Sequence, residues 1–223
     1  MIILKSRSLR KTDILNIIKC KNTLLKSPRF YSSAKSRFEW PTDKIRSTYI
    51  DYFCVKNQHK FIKSSSVLPR KSSGTYFTNA GMNQFKSIIL GEIEANKIVD
   101  LAKYIGVANS QKCIRIGGKH SDLDEIGKDT YHHTFFEMLG NWSFGSYGVE
   151  KACEMGLDLL VNVYKLNING LFFTYFGGDK SLGLEADLET KNMWLKLGVP
   201  ERQILPFDVK ANFWEMDTVG PCK

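Results

Sequence analysis

Apolar residues recur every four positions at Ile45, Tyr49 and Phe53, which predicts an amphipathic helix running from Pro41 to near Asn57 with Thr42 as its cap. Residues 61–68 then read as a strand that stops at Pro69, a residue that cannot donate to a sheet ladder. Two short helices are expected at 82–90 and 95–104. Strands at 112–116 and 132–139, joined by the polar stretch 117–130, predict a hairpin. Beyond Gly148 the period alternates. A helix over 150–166 is carried by Ala152, Met155, Leu159, Val163 and Leu166, with Gly156 a weak point. A strand over 171–176, a helix over 187–197 closed by Gly198, and a strand over 203–207 follow. The mixture points to an α+β fold with an antiparallel component and not to a doubly wound parallel sheet.

Composition supports a folded domain, since 43% of the 223 residues are hydrophobic and 12% aromatic. The richest apolar run, 171–176, is far shorter than the roughly 18 residues that cross a bilayer, so no membrane partner is expected. Five scattered cysteines without a CxxC pair fit reduced thiols better than a disulfide framework. The net charge of +9 is unevenly spread: residues 1–31 hold eight Lys and Arg against Asp13 alone. Serines, Ile14, Ile17, Ile18 and Leu25 at helical spacing, and lysines at 11, 19 and 26 give that segment the character of a mitochondrial transit peptide. Arg29-Phe30-Tyr31-Ser32-Ser33 resembles a matrix-processing site, so residues 1–31 are expected to address the chain to the mitochondrial matrix, with 32–39 as a linker. The other reading of the segment is a basic arm that stays attached and binds RNA.

Candidate chemistry gathers on the hairpin. Arg115 and Lys119 could hold a polyphosphate from a strand end and a glycine-permitted loop, and Phe135 or Phe136 offers a flat apolar face to a base. The plainer alternative is a solvated charged loop between two core strands. Gly117-Gly118-Lys119 is not a P-loop, because Cys113 and His120 stand where that pattern needs Gly and Ser or Thr. On a strand, His132 and His133 would point to opposite faces and could not chelate one ion with His120, so zinc is not expected in this segment. A Cys113 nucleophile has little support beyond its nearness in sequence to His120.

Several blocks together carry a resemblance. Thr78-Asn79-Ala80-Gly81-Met82-Asn83-Gln84-Phe85-Lys86, Asn109-Ser110-Gln111-Lys112-Cys113-Ile114-Arg115, Gly117-Gly118-Lys119-His120, Asp122-Leu123-Asp124, YHHTFFEMLGNWSFG over 131–145 and Asn212-Phe213-Trp214-Glu215-Met216 resemble the N-terminal catalytic domain of the alanyl-tRNA synthetase family. With the leader, the chain resembles the mitochondrial form. The resemblance implies a class II aminoacyl-tRNA synthetase-like antiparallel sheet flanked by helices, with residues 40–223 forming a partial aminoacylation domain. The segment from Pro41 to Pro69 would be motif 1 and the hairpin motif 2. It further implies ATP with Mg²⁺, L-alanine and the acceptor end of tRNA(Ala) as partners. In that setting Arg115 is the catalytic motif 2 arginine on the ATP α-phosphate, and Phe136 stacks on adenine. Lys119, His120 and Asp122 approach ATP and the acceptor end, and Trp214 lines the alanine pocket.

The resemblance also sets an expectation about the end of the chain. After Gly220-Pro221-Cys222 the family continues into motif 3, and Glu215-Met216-Asp217-Thr218-Val219 departs from the usual glycine after Met. The 223 residues are therefore expected to be truncated before motif 3 and nearly inactive alone, with a complementing C-terminal fragment as a possible partner. The alternatives are a catalytically silent ATP- or acceptor-binding module and an unstable fragment.

Overall fold

The computed structural model describes residues 40–69, 76–117, 123–212, 214–215 and 221–222. The expected transit peptide and linker lie outside the described residues. Helix α1, Thr42–Asp51, widens into a π-helical turn, Tyr52–Lys56, before β1, His59–Phe61. Thr42 does not cap α1. Pro41 holds the cap position in extended conformation with no side-chain bond, and its carbonyl accepts from Ile45 N at 3.0 Å. The expected apolar face does form, with Tyr49 and Phe53 buried.

Strand β1 is much shorter than the stretch 61–68 and starts earlier. After Ile62 N donates to Ala108 O (3.0 Å), serine side chains displace the ladder. Ser64 Oγ accepts from Lys112 N (3.1 Å), Ser66 Oγ accepts from Leu68 N (3.1 Å), and Ser65 N donates to Gln111 Oε1 (2.9 Å). Such local side-chain bonds compete with strand pairing. The helix expected at 82–90 is a 3₁₀ turn, Asn83–Phe85, followed by the single turn α2, Lys86–Ile89; at 95–104 only the 3₁₀ turn Ala95–Lys97 and further turns form.

Strand β2, Gly106–Ile114, begins six residues before the expected strand, and β3, Phe135–Trp142, begins and ends three residues later than expected. They pair antiparallel from Val107 opposite Trp142 to Ile114 opposite Phe135, and β1 joins the other side of β2 in parallel. The sheet is therefore mixed, where an antiparallel one was expected. Gly140 is required inside β3 because the Trp142 ring folds back over it. A Cβ there would lie 2.1 Å from the Trp142 ring.

One sheet face meets α1 and its π turn, α3 (Val149–Leu157) and the π-helical segment Asp158–Val163, around Tyr49, Tyr52, Phe53, Ala108, Met155 and Leu159. The opposite face is covered by the segment before α2, where Phe85 packs on Trp142 with Val99 and Val107. The helix expected over 150–166 thus ends early, in the π turn and a left-handed Lys165. Strands β4 (Phe173–Phe176) and β5 (Ile204–Phe207) pair in parallel and pack with α4 (Leu188–Lys196) through Phe173, Met193, Trp194 and Ile204. Asp187 caps α4, accepting from Thr190 N (3.1 Å) and Oγ1 (2.9 Å), and Gly198 ends it at φ +83°. A last turn, α5 (Val209–Asn212), precedes the short antiparallel pair β6 (Trp214–Glu215) and β7 (Pro221–Cys222). No helix among the described residues is long and apolar enough to cross a membrane.

Candidate active site

Residues directly opposite in an antiparallel pair share a sheet face. Cys113 lies opposite Phe136, Gln111 opposite Met138 and Asn109 opposite Gly140, so Phe136 and Met138 face the side covered by residues 78–85. Met138 Sδ accepts from Gly81 N (3.1 Å), and Gln84 Nε2 donates to Gln111 Oε1 (3.3 Å). Glu137, Leu139 and Asn141 face α1.

Arg115 follows the last residue of β2. Its backbone N donates to Thr134 O at 2.8 Å, carrying the hairpin ladder past the strand ends. Its Nη2 donates to Asn79 O at 3.0 Å, and the guanidinium carbon sits 5.0 Å from the centre of the Phe136 ring. This stack holds the cation in place beside an aromatic face. Arg115, Phe136, Ile126, Tyr131, His132 and His133 line a cavity of about 190 Å³. That is below the roughly 300–1,000 Å³ typical of a small-molecule pocket.

The structure thus brings together Arg115 and Phe136 and leaves Phe135 half-exposed toward solvent. Lys119, His120 and Asp122 lie outside the described residues. Trp214 stands in β6 opposite Cys222, and its side chain is not among those described. His132 and His133 precede β3, so the expectation that they alternate on a strand does not hold. His132 instead folds onto Asp129. The Asp129 carboxylate takes His132 Nδ1 at 2.5 Å, His132 N at 2.8 Å and Tyr131 N at 3.0 Å. Loss of water alone would raise the Asp129 carboxyl; hydrogen bonds from the His132 backbone and ring and from Tyr131 overcome it and hold the group at about 2. No three His, Cys, Asp or Glu side chains converge on a metal position among the described residues. Cys113 is fully buried, and burial pushes its thiol up to about 11, against the opposing pull of Arg115. A protonated, covered thiol cannot serve as a nucleophile.

Sequence reasoning from single residues missed Ile126, Tyr131 and the Asn79 carbonyl. Ile126 and Tyr131 carry no charge signal, and a backbone carbonyl has no sequence signature.

Residues 44–223 match the family model described as tRNA synthetases class II (A). The chain is 56% identical over 180 residues to the cytoplasmic alanine–tRNA ligase of Bombyx mori, covering 81% of this chain and 18% of that protein. The chain belongs to the alanyl-tRNA synthetase family. Its mixed sheet and flanking helices are those of a class II catalytic domain. Two mitochondrial alanine–tRNA ligases are similarly close: that of Drosophila melanogaster at 51% over 193 residues, covering 86% of this chain and 18% of its own length, and that of Saccharomyces cerevisiae at 48% over 203 residues, covering 91% and 20%. This alanyl-tRNA synthetase family chain therefore spans about a fifth of the length of the curated relatives it matches.

Proposed function

We propose that the chain contributes the nucleotide-binding part of an alanine–tRNA ligase acting in mitochondrial translation. The observation that carries this reading is the Arg115 guanidinium, tied to Asn79 and stacked on Phe136 at the base of the hairpin. Arg115 meets the ATP α-phosphate, and Phe136 takes the adenine. The alanine carboxylate then attacks the α-phosphorus in line; the new C–O–P bond forms as the bond to pyrophosphate breaks. A hydroxyl of the terminal ribose of tRNA(Ala) next attacks the carbonyl carbon of alanyl-adenylate, forming the ester as AMP leaves. Rate comes from positioning and charge stabilisation, with no covalent enzyme intermediate. Lys119, His120 and Asp122 serve the ATP phosphates and the acceptor end, and Trp214 serves the alanine pocket. Mg²⁺ would enter on the ATP phosphates and their waters.

The leader's composition supports import to the mitochondrial matrix. Among the described residues Arg115 is the one guanidinium lining the cavity. One guanidinium neutralises only part of the charge on a triphosphate, so a site made of these residues alone would bind ATP and turn it over slowly. A further charge partner is worth about a hundredfold or more in rate.

Titration of the 223-residue chain with MgATP, beside alanine-dependent ATP–pyrophosphate exchange, tests the reading. Binding is expected, with Arg115→Ala and Phe136→Ala each weakening it about tenfold or more, and exchange is expected to be slow. Absence of ATP binding overturns the nucleotide reading, and robust exchange overturns the expectation of slow turnover.

A further inference from the structure

Arg46 of α1 lies across the sheet from the cavity and grips Glu137 of β3 with two parallel donors. Nε donates to Oε2 and Nη2 to Oε1, each at 2.6 Å. Asp43, in the first turn of α1, takes Arg46 Nη1 at 2.6 Å, and Ser110 of β2 donates its hydroxyl to Glu137 Oε2 at 2.6 Å. One carboxylate thus ties α1, β2 and β3 together. The Arg46 bonds, with Ser110 adding to them, hold the Glu137 carboxyl at about 2, so it stays ionised throughout the neutral range.

Isolated surface ion pairs add little to stability. A bidentate guanidinium–carboxylate pair differs in that it also fixes orientation. The place where it acts matters here: Glu137 is the residue after Phe136, and beyond it the hairpin runs through Phe136 opposite Cys113 and Phe135 opposite Ile114 to the bond from Arg115 N to Thr134 O. Phe135 is 55% exposed, so its own side chain adds little packing at that end. A strand clamped on one face at Glu137 presents the next side chain, Phe136, at a defined height on the other.

We propose that the Arg46–Glu137 pair is a positioning device for the nucleotide site, fixing the backbone beside Phe136 and, through the Phe136 ring, the guanidinium of Arg115. The proposal rests on the reading of the cavity as an ATP site. Arg46 touches no substrate, and its effect is on geometry more than on stability.

MgATP titration of the full chain, with a urea midpoint for each variant, tests it. Arg46→Met and Glu137→Gln are each expected to weaken ATP binding about tenfold, as small misplacements of binding groups do, with little change in the midpoint. Arg46→Lys, which keeps the charge and loses the planar fork, should fall between them and the unaltered chain. In a Phe136→Ala background, Arg46→Met should have no further effect, because the group it positions is gone. The proposal is overturned if Arg46→Met binds ATP within twofold of the unaltered chain, or if its effect is equally large without Phe136, the mark of a merely structural role. Binding that needs Arg115 and Phe136 but not Arg46 removes this proposal alone. Binding indifferent to Arg115 and Phe136, or no binding, removes the nucleotide reading and the proposal with it.

Discussion

Gly140→Ala should be among the most damaging single-methyl changes in β3. The added Cβ would sit 2.1, 2.6 and 2.9 Å from three carbons of the Trp142 ring, where carbon–carbon contacts settle near 3.5–4.0 Å. The ring would have to retreat by about 1.5 Å, the gap between those distances. Its retreat is obstructed by Phe85, which packs against it at a tilt with centroids 4.7 Å apart. Overpacking of this kind costs about 1–3 kcal/mol. Expelling the ring instead would forfeit aromatic packing worth about 3–5 kcal/mol in truncation series. A cost of about 3 kcal/mol follows, a large part of the roughly 5–15 kcal/mol that holds a domain folded. With a urea slope of about 2 kcal/mol per molar, the midpoint should fall by about 1.5 M. Far-UV circular dichroism is the appropriate probe, since the fluorescence of Trp142 itself would change. Adding Trp142→Leu to Gly140→Ala should then cost far less than the sum of the two single changes, because the leucine removes the ring that the new methyl crowds and the methyl fills part of the space the ring leaves. A midpoint shift under about 0.3 M, or strict additivity, would refute the close-approach argument.

Two further predictions concern titratable groups. Buried His59 donates from Nδ1 to Asn57 O (2.7 Å) and accepts at Nε2 from the Tyr147 hydroxyl (2.9 Å), whose oxygen accepts from Asn141 Nδ2 (3.3 Å). Burial lowers the His59 pKa against the backbone bonds that favour its charged form, so its stabilising contribution is present above the unfolded value near 6.5 and is lost as pH falls below it. The urea midpoint should therefore drop between pH 7 and 5, and His59→Gln should flatten that drop; an unchanged slope would refute the role given to His59. Burial raises all three thiols of Cys54, Cys113 and Cys153, the latter two to about 11 and 12. Of these, partly exposed Cys54 should be alkylated by iodoacetamide well before the other two, as peptide mass spectrometry would show; early labelling of Cys113 would contradict its burial.

Period and punctuation made the C-terminal half readable. Asp187 and Gly198 bracket α4 as a capping acid and a left-handed glycine should, and β4 and β5 fall within a residue or two of the expected strands. The N-terminal half misled for identifiable reasons. Serines 64 to 66 sit between the apolar pairs Phe61-Ile62 and Val67-Leu68, but spend their hydroxyls on the Lys112 backbone and Gln111 side chain of β2 and on their own loop. The first half of β2, Gly106 to Gln111, looks too small and polar for a core strand, yet Asn109 and Gln111 are fully buried. Gln111 is satisfied by Ser65 and the Lys112 carbonyl, a non-local arrangement that no local pattern encodes.

The site divides along the same line. Alternation on β3 offered Phe135 and Phe136 on opposite faces, the resemblance pointed to Phe136, and the charge of Arg115 made it a candidate for phosphate, since these signals belong to single residues. The restraints on Phe136 and Arg115 are different in kind. Asn79 holds Arg115 through a carbonyl, and Arg46 holds Glu137 from 91 positions away. An exposed Arg on a helix and a Glu on a strand each read as ordinary solvated charges until the fold brings them within 2.6 Å. Because period-2 geometry sends Phe136 and Glu137 to opposite faces, the same few residues of β3 both form the wall of the cavity and anchor that wall to α1. A change on the α1 face should therefore alter the cavity face without touching it.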